Sequence, residues 1–543
     1  MPTADLIVSN ADIRTLDWAQ PRAASLAVKD GRILALGSDS DIRVFAAAST
    51  RRVDAGGRLV LPGFQDTHIH LQDSGIDYVL GCELAGALTL AELQERLRAQ
   101  AAATTSELWV RGIGWNAGIF NAENLDRHVL DEAVSHRPVF IFAADGHNAV
   151  LNSKGCEAIG LRGDTPNPPN GEIVRASDGQ PSGMLYEDAC YWAMDLMPEP
   201  TAEDSARGVK FAAALANRHG ITGVLDAMVA EKHMKIYTAL DRAGELPLRV
   251  AATTKVFPHE GVDAALERLI DIRTRYRTPQ VFMHSAKFFL DGVLENGTAA
   301  MLKDYDTGGN APIMFELEHL DRLFARFDAH RFQLHIHTIG DRAARVALDG
   351  IEALRRTNPP WPALHQLAHV QMIDPADIPR FRALGAVANV QPLWACPDAG
   401  VNDIAMPMVG KQRGRWMYAN KSIIAAGGPY AISSDWAVST LNPFEIMQVA
   451  ITRQRPEEGP GGPCFLPEER LDVETVVKGY TSNAAAAAWR SEDTGSLSPG
   501  KCADLIVLDR DIYRIPAHEI GGTRVLMTLL GGHEVHRAEG FDA

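Results

Sequence analysis

Arg58-Leu-Val-Leu-Pro-Gly63, followed directly by Phe64-Gln-Asp-Thr-His68-Ile-His70, reads as a short apolar strand that ends in two histidines. Side chains alternate along a strand, so His68 and His70 share one face and both imidazoles can reach a single ion. Taken alone, an HxH pair leaves a metal reading and a packed-histidine reading both open. Recurrence downstream favours the metal reading, and it also points to the fold.

From Ala202 to about Ile451 short apolar strands alternate with helical periods, the pattern of repeated βα units around a parallel sheet. The strands expected are Ile221–Asp226, Leu248–Thr253, Ser285–Leu290, Phe332–His337, Leu364–His369, Ala386–Val390 and Tyr430–Ser434. With the run into His70 they make eight, the number of a (β/α)8 TIM barrel, and active sites of such barrels lie at the C-terminal ends of the strands. Several of these ends carry chemistry. His337 closes its strand two residues after His335, ahead of the helix start Gly340-Asp-Arg-Ala343. His369 closes the next, with Asp374 before Pro375 as the expected helix cap. Asp435 follows Ile432-Ser-Ser434. Lys287 lies inside Ala286-Lys-Phe-Phe-Leu290, where an unpaired buried ammonium would cost on the order of several kcal/mol. It either pairs with an acid such as Asp291, or stays neutral and reacts with carbon dioxide to form a carbamate that bridges two metals.

Composition narrows the function classes. A chain of 543 residues with net charge -16 lacks the clustered basic surface of a nucleic-acid binder, so a small-molecule partner is expected. No apolar run is long enough to span a bilayer, and no basic and apolar leader pattern opens the sequence. The six cysteines are widely spaced without CxxC pairs, as in a reduced cytoplasmic protein. Strand-like segments at both ends, Asp5–Ser9, Ala24–Lys29 and Gly31–Gly37, then Ala503–Leu508 and Arg524–Leu530, predict that the termini meet in one small β-rich, sandwich-like domain (1–62 and 488–543). The barrel then takes 63–74 and 201–487, and an inserted α+β subdomain (75–200) is expected over the barrel mouth. Within it Trp115, His147 and Tyr186 are candidates for lining a substrate pocket; a structural histidine and core aromatics are the competing reading. His284 and His335 read as packing residues or as residues that orient ligands, and Asp291 and Asp341 as residues that hold loops or cap helices.

The ordered set HxH, Lys, His, His, Asp resembles the amidohydrolase superfamily, and specifically its family 3 branch, which includes N-substituted formamide deformylases. The phrases that carry the likeness are Leu61-Pro-Gly-Phe-Gln-Asp-Thr-His-Ile-His70, Lys287-Phe-Phe-Leu-Asp-Gly292, His337-Thr-Ile-Gly-Asp-Arg-Ala343, Ala368-His369, Ser434-Asp435-Trp436 and Gly495 to Leu505, with Asp145-Gly-His147-Asn148 and Gly183-Met-Leu-Tyr186 in the insertion. The resemblance implies His68 and His70 on one metal, His337 and His369 on a second, Lys287 as a bridging carbamate, and Asp435 as ligand and catalytic proton acceptor. Zinc is the default ion, one or two per chain. The activity implied is hydrolysis of a C–N bond in an N-acyl, N-formyl or cyclic amide by metal-activated hydroxide. Alternatives on the same site are ester or carbamate hydrolysis and deamination of a cyclic amidine, and in a different class a regulatory or binding protein without turnover. A homodimer is expected at family level.

Overall fold

The computed structural model of the chain describes residues 2–104, 109–144 and 146–541, so Asp145 of the insertion motif lies outside the described residues. The chain divides into two compact units. One comprises Met1–His70, Ala213–Asp435 and Thr440–Ala543; the other comprises Leu71–Ala212 with Trp436–Ser439.

The first unit is built on an eight-stranded parallel sheet: β1 (Phe64–Ile69), β2 (Ile221–Asp226), β3 (Arg249–Lys255), β4 (Val281–Phe289), β5 (Gln333–Thr338), β6 (Gln366–His369), β7 (Val387–Val390) and β8 (Tyr430–Ile432). Each strand pairs in parallel with its neighbour in that order, so the sheet follows the chain without reversal, as an α/β barrel requires. No ladder joins β8 to β1, and the barrel is nearly closed. Other bonds bridge that seam. The Ser434 amide donates to both carboxylate oxygens of Asp66 at 3.2 Å, and the Asp435 amide donates to the His68 carbonyl at 2.8 Å.

The helices between the strands follow from patterning. Asp341–Thr357 buries Ala343, Ala344, Ala347, Leu348, Ile351 and Leu354 on one face. It places Asp341 in its first turn and Arg355 and Arg356 in its last, matching the helix dipole at both ends. Gln333 and Gln366 both donate at 3.0 Å to the Ala487 carbonyl at the end of helix Ser482–Ala487, serving the last-turn acceptor that the helix itself leaves open.

The expected first strand proves to be two. Leu59–Pro62 leaves the barrel and joins a six-stranded sheet, parallel to Asp12–Arg14 and antiparallel to Leu505–Leu508. Strands from the two chain ends thus share a sheet. A second sheet of four strands holds Leu6–Ser9, Ser25–Lys29, Arg32–Gly37 and Arg51–Asp54. Val8, Leu26, Val28, Val60, Leu505, Val507 and Met527 form a common apolar core between them. Asp374 does not cap the helix after β6: its carboxylate closes a turn on the Ala376 amide at 2.9 Å, and the helix begins at Ile378.

The second unit holds a six-stranded mixed sheet in the order Gly171–Arg175, Pro181–Glu187, Asn148–Leu151, Val139–Ala143, Val110–Trp115, Gly81–Glu83. Helix Leu90–Ala103 buries Leu93, Leu97 and Ala101 at helical spacing. Among the described residues no helix is long and apolar enough to cross a membrane.

Candidate metal centre

Strand alternation brings the predicted ligands together at the C-terminal ends of the barrel strands. His68 lies near the end of β1 and His70 just past it; Lys287 lies near the end of β4; His337 lies near the end of β5; His369 ends β6; Asp435 follows β8. One ring nitrogen each of His68 and His70 and an Asp435 carboxylate oxygen lie within 4.8 Å of one another. Asp435 Oδ1 is 3.3 Å from His70 Nε2 and 3.6 Å from His68 Nε2, while Lys287 Nζ is 3.4 Å from His68 Nε2. The His337 and His369 rings adjoin, with centroids 4.6 Å apart, and His369 Nδ1 is 3.9 Å from Asp435 Oδ2.

Polar partners hold the rings in place. His337 Nδ1 meets Asp291 Oδ1 at 3.2 Å, His369 Nδ1 meets Gln391 Oε1 at 2.9 Å, and His68 Nδ1 meets His335 Nε2 at 2.8 Å. His337 and His369 face oxygens, so each donates from Nδ1–H and keeps its Nε2 lone pair free. Asp291 does more than hold one ring. It also accepts from the amides of Ala300, Ile339 and Gly340 at 3.0, 3.1 and 2.7 Å, pinning the turn after β5. Only glycine fits at 340, because a Cβ there would stand 2.0 Å from the Ala300 carbonyl oxygen. Asp341 accepts from the Leu302 amide at 2.7 Å, so it holds a loop as expected.

The electrostatics suit cation binding. Burial drives His68 and His369 far below the ordinary imidazole range, with Lys287 and the adjoining histidines adding to the effect, so both rings are neutral, the form a cation requires. Burial opposes ionisation of Asp435, but His70, His369 and Lys287 outweigh it and bring its carboxyl to about 2. Burial brings the Lys287 amine down to about 7, against the attraction of Asp435. Asp435 Oδ1 is fully buried and makes no well-formed hydrogen bond. A buried charged oxygen in that state, facing two imidazole nitrogens, is chemically suited to a divalent cation. His369 and Asp435 hold backbone φ of 76° and 56°, in the left-handed region where non-glycine residues are uncommon and cluster at working sites.

The three pocket candidates belong to the second unit. Trp115 is fully buried in that unit's core beside Leu84, Leu125 and Ile141, and Tyr186 packs half-buried against the same core. His147 Nδ1 lies 2.6 Å from Glu187 Oε2. Two of the polar partners at the centre leave little mark in the sequence. Gln391 lies two residues beyond Asn389, so strand alternation is its only signal; Asp291 reads as a partner for Lys287 or as a residue that holds a loop or caps a helix, and its bond to His337 has no signal of its own.

The sequence model of the amidohydrolase family matches residues 51–536. The chain belongs to the amidohydrolase family. It is thereby an enzyme of the hydrolase class that acts on carbon–nitrogen bonds. The amidohydrolase is 29% identical to an N-substituted formamide deformylase from Arthrobacter pascens, over 97% of each chain. It is 27% identical to the protein LONG AFTER FAR-RED 3 of Arabidopsis thaliana, over 98% of its own length and 92% of that protein. Among solved structures, an uncharacterized metal-dependent hydrolase from Pyrococcus horikoshii OT3 superimposes with a TM-score of 0.77 at 24% identity, covering 94% of this chain and 99% of that one. That likeness establishes the shared barrel fold.

Proposed function

We propose that this amidohydrolase cleaves the C–N bond of an amide-type small molecule, N-acyl, N-formyl or cyclic, at a divalent-metal centre held by His68, His70, Lys287, His337, His369 and Asp435, with zinc the first candidate. The observation that carries the reading is the convergence of a ring nitrogen of His68, a ring nitrogen of His70 and an Asp435 oxygen within 4.8 Å of one another at the strand ends. The formamide deformylase likeness along the whole chain supports the amide class. A divalent ion bound there supplies Lewis-acid chemistry, polarising a carbonyl and lowering the pKa of water to ~7.

The chain's own groups do the rest. Asp435 is ionised across the neutral range, so it is ready to accept the proton of the attacking water and to return it to the leaving nitrogen, base first and acid second. Gln391 and Asp291 keep His369 and His337 from rotating as charge moves through the site. Lys287, with its amine near 7, has a neutral fraction able to add to carbon dioxide. A new N–C bond then forms as one N–H proton is lost, and the resulting carbamate anion stands beside His68. Trp394 stacks on His369 at 5.4 Å and 18°, giving the centre an aromatic wall.

The test is a turnover panel of N-formyl amines, N-acyl amines and lactams against matched esters. Amide hydrolysis that a chelator abolishes and added zinc restores is the expected result. Turnover confined to esters contradicts the amide reading.

A further inference from the structure

We propose that His335 is a positioning residue for the metal centre: its Nε2 accepts a hydrogen bond from Nδ1–H of His68 and so keeps the His68 Nε2 lone pair directed at Asp435 and Lys287. The inference rests on the metal-centre reading above and goes beyond it, since His335 touches neither an ion nor a substrate in that reading.

The argument is one of proton accounting. Both rings are fully buried, and His68 Nδ1 lies 2.8 Å from His335 Nε2. A neutral imidazole carries one N–H, so exactly one of these two nitrogens holds the shared proton. At the neighbouring ligands the choice is dictated, because the partners of His337 and His369 are oxygens, on Asp291 and Gln391, that can only accept. At His68 the partner is another imidazole, which can do either. In one arrangement His335 Nε2–H donates to His68 Nδ1; His68 then carries its proton on Nε2, pointing at Lys287 Nζ 3.4 Å away and Asp435 Oδ1 3.6 Å away, and cannot ligate. In the other, His68 donates and His335 carries its proton on Nδ1. Only the second leaves a lone pair for an ion.

That second arrangement has a visible cost. His335 Nδ1 is buried and makes no hydrogen bond. The hydroxyls of Thr253 on β3 and Ser285 on β4 are likewise buried without a partner, and those two residues are paired across the sheet. Ser285 in turn pairs with Gln333, two residues before His335 on β5. A buried polar N–H left unsatisfied is unfavourable. With Nδ1 unpartnered, the one hydrogen bond of the His335 ring is the contact with His68, so the tautomer is set at that contact.

The experiment compares His335→Gln with His335→Met in the full-length protein. The two side chains have nearly the same length and flexibility, and only glutamine offers an oxygen that accepts from His68 Nδ1–H. Zinc affinity is measured by chelator competition on metal-stripped protein, alongside circular dichroism. The expected result is a zinc Kd raised about 10- to 100-fold in the methionine variant and within about threefold of wild type in the glutamine variant. Equal affinities in the two variants, whether both unchanged or both weakened alike, overturn the proposal and leave packing as the role of His335. A wild-type protein that takes up no zinc overturns the metal-centre reading itself, and the proposal with it. If either variant fails to fold, the tautomer is read in zinc-loaded wild type from ring ¹⁵N shifts. A proton on His335 Nδ1 supports the proposal, and a proton on Nε2 overturns it.

Discussion

Asp435→Asn leaves the protein folded and lowers kcat by about a thousandfold or more, within the range expected when a positioned proton carrier is removed. The substitution is close to isosteric, and asparagine tolerates the left-handed backbone that residue 435 adopts at φ 56° better than most residues. The backbone bond that helps close the barrel seam, from the 435 amide to the His68 carbonyl at 2.8 Å, is unaffected. What is lost is a carboxylate held at about 2 by its neighbours, hence fully ionised at neutral pH and able to take a proton; an amide cannot. The check is kcat at matched metal content, with circular dichroism to confirm the fold. Wild-type turnover in that variant removes Asp435 from the chemistry.

Asp504→Ala produces the largest loss of stability we expect from a single substitution outside the centre, about 3–5 kcal/mol. Asp504 and Arg249 form a two-pronged pair, Nε to Oδ2 at 2.7 Å and Nη2 to Oδ1 at 2.9 Å, and Oδ1 also accepts from the Gly531 amide at 2.7 Å. Arg249 opens β3, and Asp504 directly precedes the Leu505–Leu508 strand, so the pair ties the barrel to the strands of the chain ends. Their side chains are only 15% and 4% exposed, so alanine at 504 strands a guanidinium with little water to solvate it. The urea midpoint of unfolding falls accordingly. Adding Arg249→Met to Asp504→Ala recovers much of the loss, because the stranded charge leaves with its partner. A single-variant loss below about 1 kcal/mol would place this pair among ordinary surface bridges.

Much of this architecture was legible because the barrel strands are short apolar runs with clear ends. Ile221–Asp226 is observed with the bounds its sequence predicts. The cluster at the strand ends was legible because alternation and strand ends both leave marks: His68 and His70 differ by two and share a face, and His337, His369 and Asp435 each stand near or just past the end of a strand. The same alternation hid a boundary. Arg58 to His70 reads as one continuous strand, yet the chain crosses from one sheet to another at Gly63, and a run of buried apolar residues has no period that marks such a change. In the second unit, the stretch from Gly163 to Gly183 shows Gly and Pro but no strand pattern, and Gly171–Arg175 pairs antiparallel with Pro181–Glu187 as a hairpin. Its turn residues were visible and its strands were not, because they are short and only partly apolar. Asp374 carried a capping signal that a competing turn absorbed.

The account's central claim is the metal centre, and metal content per chain by elemental analysis tests it most directly, on protein purified without chelator and reconstituted with zinc and bicarbonate. The account predicts one or two tightly held divalent ions per chain, lost when His68 and His70 are both replaced by alanine. Protein that folds normally yet retains no metal under those conditions would contradict it.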